Sequence, residues 1–388
     1  MAIAGALLLL AGCQDDADSG GSSAAPSSQA GPAEVVLSVP DGSVDVSPVV
    51  PLEISVTDGE LGEVALTDEA GVPVPGSVAD SPADPDVDVW TPEVELAYGA
   101  TYTLTASAAG SGAQTVEASS TFTTVTPAEV STPSIGPLDG QTVGVGMPIR
   151  VYFDQPVADR AAVERHLLVE TSNPTDGIWS WLSDTEVHFR PSTYWPAHTD
   201  VTLDADLYGV SFGDGVWGEK DRTVSFRVGD EHVSIADAGT HTMQVFENGR
   251  LVQTYPISAG SDDNPSHNGV HVVTGLDRNR VMDSSTYGVP VDSPGGYRTP
   301  VEYAVRISNN GEFVHAAPWS VAEQGNANVS HGCINMSTER AAWFFDFSQP
   351  GDIVEIRNSI GPPLGPADGD IYDWTLSWDE WRAGSALQ

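Results

Sequence analysis

A repeat of about 100 residues constrains the first half of this chain more than any other feature. Pro40-Asp41-Gly42, followed by Val50-Pro51-Leu52-Glu53-Ile54, recurs as Leu138-Asp139-Gly140, followed by Met147-Pro148-Ile149-Arg150-Val151. Tyr98-Gly99-Ala100-Thr101-Tyr102-Thr103-Leu104 is then echoed by Trp195-Pro196-Ala197-His198-Thr199-Asp200-Val201-Thr202-Leu203. A turn signal followed by a short apolar strand, recurring at that period, is the spacing of immunoglobulin-like β-sandwiches of ~100 residues each. Two tandem sandwiches are therefore predicted, 33–126 and 133–229, joined through a Thr- and Pro-containing stretch. Neither gathers catalytic residue types, so both read as spacers.

Beyond residue 230 the chain changes character. Ser330-His331-Gly332-Cys333-Ile334-Asn335 follows His315. A thiol attacks as thiolate, so a catalytic cysteine needs an imidazole close by to take its proton and hold the resulting ion pair. His315 and His331 are the candidates. The chain has two cysteines, Cys13 and Cys333, and the first falls in an export signal. Cys333 is thus left without an intramolecular disulfide partner, in a polar, turn-like neighbourhood unlike that of an inert core cysteine.

Local signals place these residues. Val301 to Ile307 alternates as a strand, Asn309-Asn310-Gly311 signals a hairpin, and Phe313-Val314-His315 resumes the strand, which puts His315 at a strand end. Gly332 lets the backbone approach closely, and amides around Gly332 and Cys333 offer an oxyanion hole. Ser337 to Phe345 reads as a capped short helix. A second hairpin is predicted from Thr242 to Ile257 around Asn248-Gly249. Zinc on Cys333, His315 and His331 is set aside for want of a Cys-x-x-Cys pair, so no metal or cofactor is expected. His267 and His271 are four apart, but the intervening Asn-Gly-Val reads as turn and strand, so they do not share a helical face and read as solvated loop histidines. Trp374, Trp378 and Trp381, spaced i, i+4, i+7, are expected on one helical face that docks the tail on a neighbouring domain.

The histidine, spacer and Ser-His-Gly-Cys-x-Asn pattern resembles the signature of the L,D-transpeptidases with a YkuD-type catalytic domain, in their actinobacterial multidomain form, over residues 230 to 388. The resemblance implies a mainly β chain. Two immunoglobulin-like sandwiches would precede a β-rich catalytic domain, 230–357, with a short helix after the nucleophile, and a Trp-rich C-terminal subdomain, 358–388. Cys333 would be the acylated nucleophile and His315 the base and later acid. Ala316 stands where the family usually has serine and would supply the carbonyl that orients the histidine ring; His331 and Gly332 complete the catalytic set. Met282 to Gly288 and Tyr297 resemble a flap, and Trp319 a cleft-lining tryptophan. Asn310, Gly311, Ser330 and Asn335 match substrate-binding positions. Where many members have Thr-Pro-x-Gly, this chain reads Pro265-Ser266-His267-Asn268-Gly269.

The implied chemistry is attack by Cys333 on the carbonyl between the third stem residue, meso-diaminopimelate or similar, and the terminal D-alanine of a peptidoglycan tetrapeptide. The amine of a neighbouring stem then resolves the thioester into a 3→3 cross-link. Water as acceptor would give an L,D-carboxypeptidase instead. A non-catalytic wall-binding protein is the other alternative, and the intact Cys333/His315 pair argues against it. Carbapenems are the implied inhibitors, and 230–388 alone is expected to acylate.

Residues 1–12 form a short apolar run ending in Leu10-Ala11-Gly12-Cys13, which resembles a lipobox with Cys13 as the lipidated residue; 13–32 reads as a flexible tether. No stretch approaches the ~18 apolar residues of a membrane span. The expected location is the outer face of the cell membrane, held by lipid alone within the wall. Fifteen Lys plus Arg against 55 Asp plus Glu give a net charge of −40, which repels nucleic acid and anionic surfaces.

Overall fold

A computed structural model describes residues 32–84, 87–110, 114–368 and 371–388; the expected export signal 1–12, Cys13 and all but the last residue of the expected tether 13–32 lie outside the described residues. The first repeat forms two sheets. One holds Glu34–Leu37, Leu52–Thr57, Val87–Pro92 and Gly76–Asp80, and the other Ser43–Val46, Thr115–Thr124, Thr101–Gly110, Gly59–Asp68 and Pro73–Val74. Thr101–Gly110 alternates in burial, with Tyr102, Leu104, Ala106 and Ala108 turned inward, the period-2 pattern of a half-buried strand.

The second repeat has two four-stranded sheets, Ser134–Gly136, Ile149–Tyr152, Glu186–Pro191 and Gly177–Trp181 against Thr142–Val143, Arg222–Val228, Asp200–Ala205 and Leu167–Thr171, with Thr142–Val143 running parallel to its neighbour. The repeated Asp-Gly is the same device in both. Asp41 Oδ1 accepts from Thr121 N at 2.8 Å, and Asp139 Oδ1 accepts from Ser225 N at 2.9 Å. Gly42 and Gly140, at φ +78° and +74°, donate their N–H groups to the carbonyls of the same two partners. A side-chain acceptor followed by a left-handed residue is what clips such a turn to a strand, and glycine takes that conformation without strain.

Two further sheets make the catalytic part. Arg250–Pro256, Thr242–Glu247, His232–Asp237, Ile353–Arg357 and Gly269–Val272 form the first; Gly275–Asp283, Arg298–Arg306, Phe313–Ala316 and Ile334–Met336 form the second. Asn248 and Gly249 both have positive φ, +49° and +72°, as a tight hairpin turn requires. The helix Thr338–Phe347 is capped by Ser337, and its Ala341 and Phe344 share a core with Met243, Val245, Val305, Val314 and Val354.

The second sandwich and the catalytic part form one compact unit. Val272, Ile353 and Ile371 are buried in the same cluster as Ile149, Phe189 and Trp195. The tail completes it. Trp374 lies in the 3₁₀ turn Asp373–Thr375, while Trp378 and Trp381 lie on the separate helix Trp378–Arg382, because Ser377 and Glu380 form a capping box that starts a new element. The three indoles therefore do not share one helical face. They surround the Arg190 guanidinium at 4.7, 5.4 and 4.7 Å, and Trp374 and Trp381 donate to the carbonyls of Gly146 and Ile178. Cutting at residue 230 would uncover Ile371 and Trp381.

Beside this cage, buried His188 lies between Asp373 Oδ2 and Glu186 Oε1, each 2.9 Å from a ring nitrogen. The Asp373 contact is a hydrogen bond; the Glu186 contact has ion-pair distance without hydrogen-bond alignment.

Candidate active site

The parallel pairing of Phe313–Ala316 with Ile334–Met336 sets His315 opposite Asn335. Cys333 immediately precedes the second strand. The two strand ends open into a cleft of about 360 Å³ that also gathers Met282, Tyr297, Trp319, Ser330 and His331. Thr299, Val301 and Val329 line it as well. Sequence reasoning missed these three, although Thr299 and Val301 stand two apart on Arg298–Arg306 and so face one side.

His315 is 4 % exposed, and its Nδ1–H donates to the Ala316 carbonyl at 2.9 Å. That bond puts the proton on Nδ1 and leaves the Nε2 lone pair as the basic site. Burial holds the imidazole below its usual titration range, opposed by the Ala316 bond. Cys333 is 6 % exposed, and its thiol donates to the Gly311 carbonyl at 3.6 Å. Burial pushes the thiol up to about 12; the Glu312 carboxylate adds to this, and the Phe313 backbone and Arg306 oppose it. The resting pair is thus thiol and neutral imidazole, not the ion pair expected from sequence. A proton must move as the sulfur attacks.

The loop before Cys333 is held by side chains. Ser330 Oγ donates to the Cys333 carbonyl at 2.6 Å and accepts from Gly332 N at 3.1 Å. Gly332 has φ +110°, a conformation that a side chain would strain. Its N–H is turned to Ser330, so of the two amides proposed for an oxyanion hole only that of Cys333 has no hydrogen-bond partner among the described residues.

Around the rim, Trp319 is 58 % exposed, its ring 6.2 Å from His315, while Tyr297 and His331 approach to 5.0 Å on their own edge. Ser284 exchanges two hydrogen bonds with the Tyr297 backbone and ties the Met282 arm to it. Asn335 Nδ2 donates to Ser320 Oγ. Asn310 and Gly311 lie outside the cleft lining. Asn310 donates its backbone N–H to Asp368, its Nδ2 lies 3.2 Å from His267 Nδ1, and Gly311 contributes only the carbonyl that holds the thiol.

His267 and His271 are not solvated loop residues. His271 is fully buried on Gly269–Val272, its Nε2 3.1 Å from Glu312 Oε2. His267 Nδ1 lies 3.1 Å from Glu312 Oε1, and its backbone N–H donates to the same oxygen at 2.8 Å. Glu312, a buried acid beside the apolar Phe313-Val314, is the partner that sequence reasoning passed over.

Comparison with known proteins gives two family matches, a bacterial Ig domain over residues 43–211 and an L,D-transpeptidase catalytic domain over residues 231–356. The chain is 42 % identical to L,D-transpeptidase 2 of Mycobacterium tuberculosis (strain CDC 1551 / Oshkosh) over 353 residues, covering 91 % of this chain and 85 % of that one. It is 40 % identical to L,D-transpeptidase 5 of M. tuberculosis (strain ATCC 25618 / H37Rv), over 89 % of this chain and 76 % of the other. Among solved structures, an L,D-transpeptidase in complex with imipenem is 40 % identical and matches with a TM-score of 0.52, over 59 % of this chain and 100 % of that one.

Proposed function

The chain belongs to the L,D-transpeptidases with a YkuD-type catalytic domain, and on that premise we propose that Cys333 is its acylated nucleophile and His315 its proton carrier on peptidoglycan stem tetrapeptides. One observation carries this assignment: the single cysteine of the described residues shares a cleft with an imidazole whose Nδ1–H is already bound to the Ala316 carbonyl. Cys333 Sγ attacks the carbonyl of the third stem residue as its proton passes to His315 Nε2. The oxyanion forms beside the Cys333 N–H, where a fixed donor lowers the barrier. Collapse breaks the peptide bond, His315 returns the proton to the departing D-alanine amine, and a thioester remains. An acceptor amine then loses its proton to His315, attacks the thioester and expels the thiolate, which is reprotonated. The product is a 3→3 cross-link.

Carbapenems fit the same chemistry, since a strained carbonyl within the cleft would acylate the thiol. Intact-mass analysis after separate incubation with disaccharide-tetrapeptide and with imipenem is expected to show one adduct, on Cys333, and a cross-linked dimer as the peptide product. An adduct on another residue, or none from protein that turns over substrate, would overturn the assignment. Release of tripeptide alone would make the protein a carboxypeptidase.

We further propose that Cys13, outside the described residues, carries a lipid anchor, supported by the Leu10-Ala11-Gly12-Cys13 sequence. Cys13→Ser is expected to move the protein from the membrane fraction to the medium with its acylation rate intact. Unlabelled, soluble wild type after metabolic lipid labelling would refute the anchor.

A further inference from the structure

Glu312 is a buried carboxylate next to a residue that must become an anion in the reaction, and the mechanism above gives it nothing to do. Its negative charge works against a thiolate on Cys333. Burial pushes its own pKa up, yet its bonds to His267 and His271 more than offset this and bring it down to about 2, so it is ionised throughout the working range. A charge kept in so unfavourable a place needs a structural reason.

The reason lies in what Glu312 grips. Its Oε1 takes the backbone N–H and the ring of His267, and its Oε2 takes the ring of His271, which fixes both sides of the turn between them. Ser266, which is fully buried, directly precedes His267 and is held in place with it. Ser266 Oγ donates to the Gly332 carbonyl at 2.6 Å and accepts from Gly260 N at 2.9 Å. A trans peptide is planar, so fixing the Gly332 carbonyl fixes the Cys333 N–H in the opposite direction. We propose that Glu312 is a positioning residue for acyl transfer: clamped by His267 and His271, it holds Ser266 against the Gly332 carbonyl and so aims the Cys333 N–H at the oxyanion. The role rests on Cys333 being the nucleophile.

Two reactions of the full-length protein separate this role from general damage. Imipenem acylation passes through an oxyanion, whereas alkylation by iodoacetamide is a displacement at carbon that forms none. Ser266→Ala and Glu312→Gln are each expected to slow imipenem acylation about 10- to 100-fold while iodoacetamide labels Cys333 no more than about threefold slower, since a misaimed oxyanion donor costs only the first reaction. Ser266→Thr, which keeps the hydroxyl, is expected to restore the rate. The double variant should be no slower than the worse single one, because both act through one contact. Parallel losses in both reactions, or wild-type acylation by Ser266→Ala, would overturn the proposal. Wild-type protein in which imipenem leaves Cys333 unmodified would instead remove the nucleophile assignment.

Discussion

Cys333→Ala abolishes thioester formation with either tetrapeptide or imipenem, a loss of roughly 10⁴-fold or more, because no other thiol stands among the described residues to replace it. His315→Ala costs roughly 10²- to 10⁴-fold, the range of a positioned general base. The electrostatics add a pH signature. His315 titrates below its ordinary value of 6.5 and is the active base only when neutral, so acylation rises with pH through that acidic range and is flat from neutrality upward. The free thiol, raised to about 12, shows no such plateau toward iodoacetamide and keeps gaining reactivity well above neutral pH. Rates of both reactions measured from pH 5 to 10 check this. Coincident profiles would mean a preformed ion pair and would contradict the buried, thiol-donating Cys333 described here.

The second large effect is on stability, at His188. Burial alone would lower its pKa, but Asp373 and Glu186 more than offset this and raise it from 6.5 to about 9. A group raised in the folded state contributes fully below its unfolded value, so the stabilisation is complete below pH 6.5 and is lost as pH climbs through about 9. At 1.36 kcal/mol per unit the contribution is roughly 3 kcal/mol. His188→Ala, which leaves Asp373 buried and unmatched, is expected to cost about 3–5 kcal/mol. For a unit of this size that is a fall in Tm of about 6–20 °C. Thermal unfolding followed by tryptophan fluorescence includes the three indoles of the Arg190 cage in its signal. Wild type should melt lower at pH 10 than at pH 6 and His188→Gln should lose most of that difference; equal pH dependence in both would exclude His188 as its source.

What was legible from sequence was local. Asp41-Gly42 and Asp139-Gly140 announce the repeated turn because both its acceptor and its left-handed residue are written side by side. Asn248-Gly249 does the same for its hairpin. Cys333 and His315 were found because nucleophile and base are types with few structural uses. Glu312 was invisible for the opposite reason: its meaning comes from His267 and His271, more than 40 residues away, and no local pattern marks a carboxylate that folding will bury between two imidazoles. His271 was misread because the adjoining Asn268-Gly269 turn outweighed a strand only four residues long. Trp374 and Trp378 stand at helical spacing, but a new helix starts at Ser377 between them, and spacing alone does not show that start.

The docked tail bears on the order in which the chain can finish folding. Trp181 N donates to the Gly384 carbonyl, and Glu164 receives Ser385 Oγ and Ala386 N. The second sandwich therefore keeps Trp181 and the Glu164 carboxylate uncovered until residues some 200 positions later arrive. Threaded from its N-terminus, the chain would hold this sandwich half-finished while the whole catalytic part is delivered, a long-range closure that slows folding. Loss of even the last dozen residues would leave nascent protein with an open apolar flank, a target for proteolysis before any enzyme is assembled.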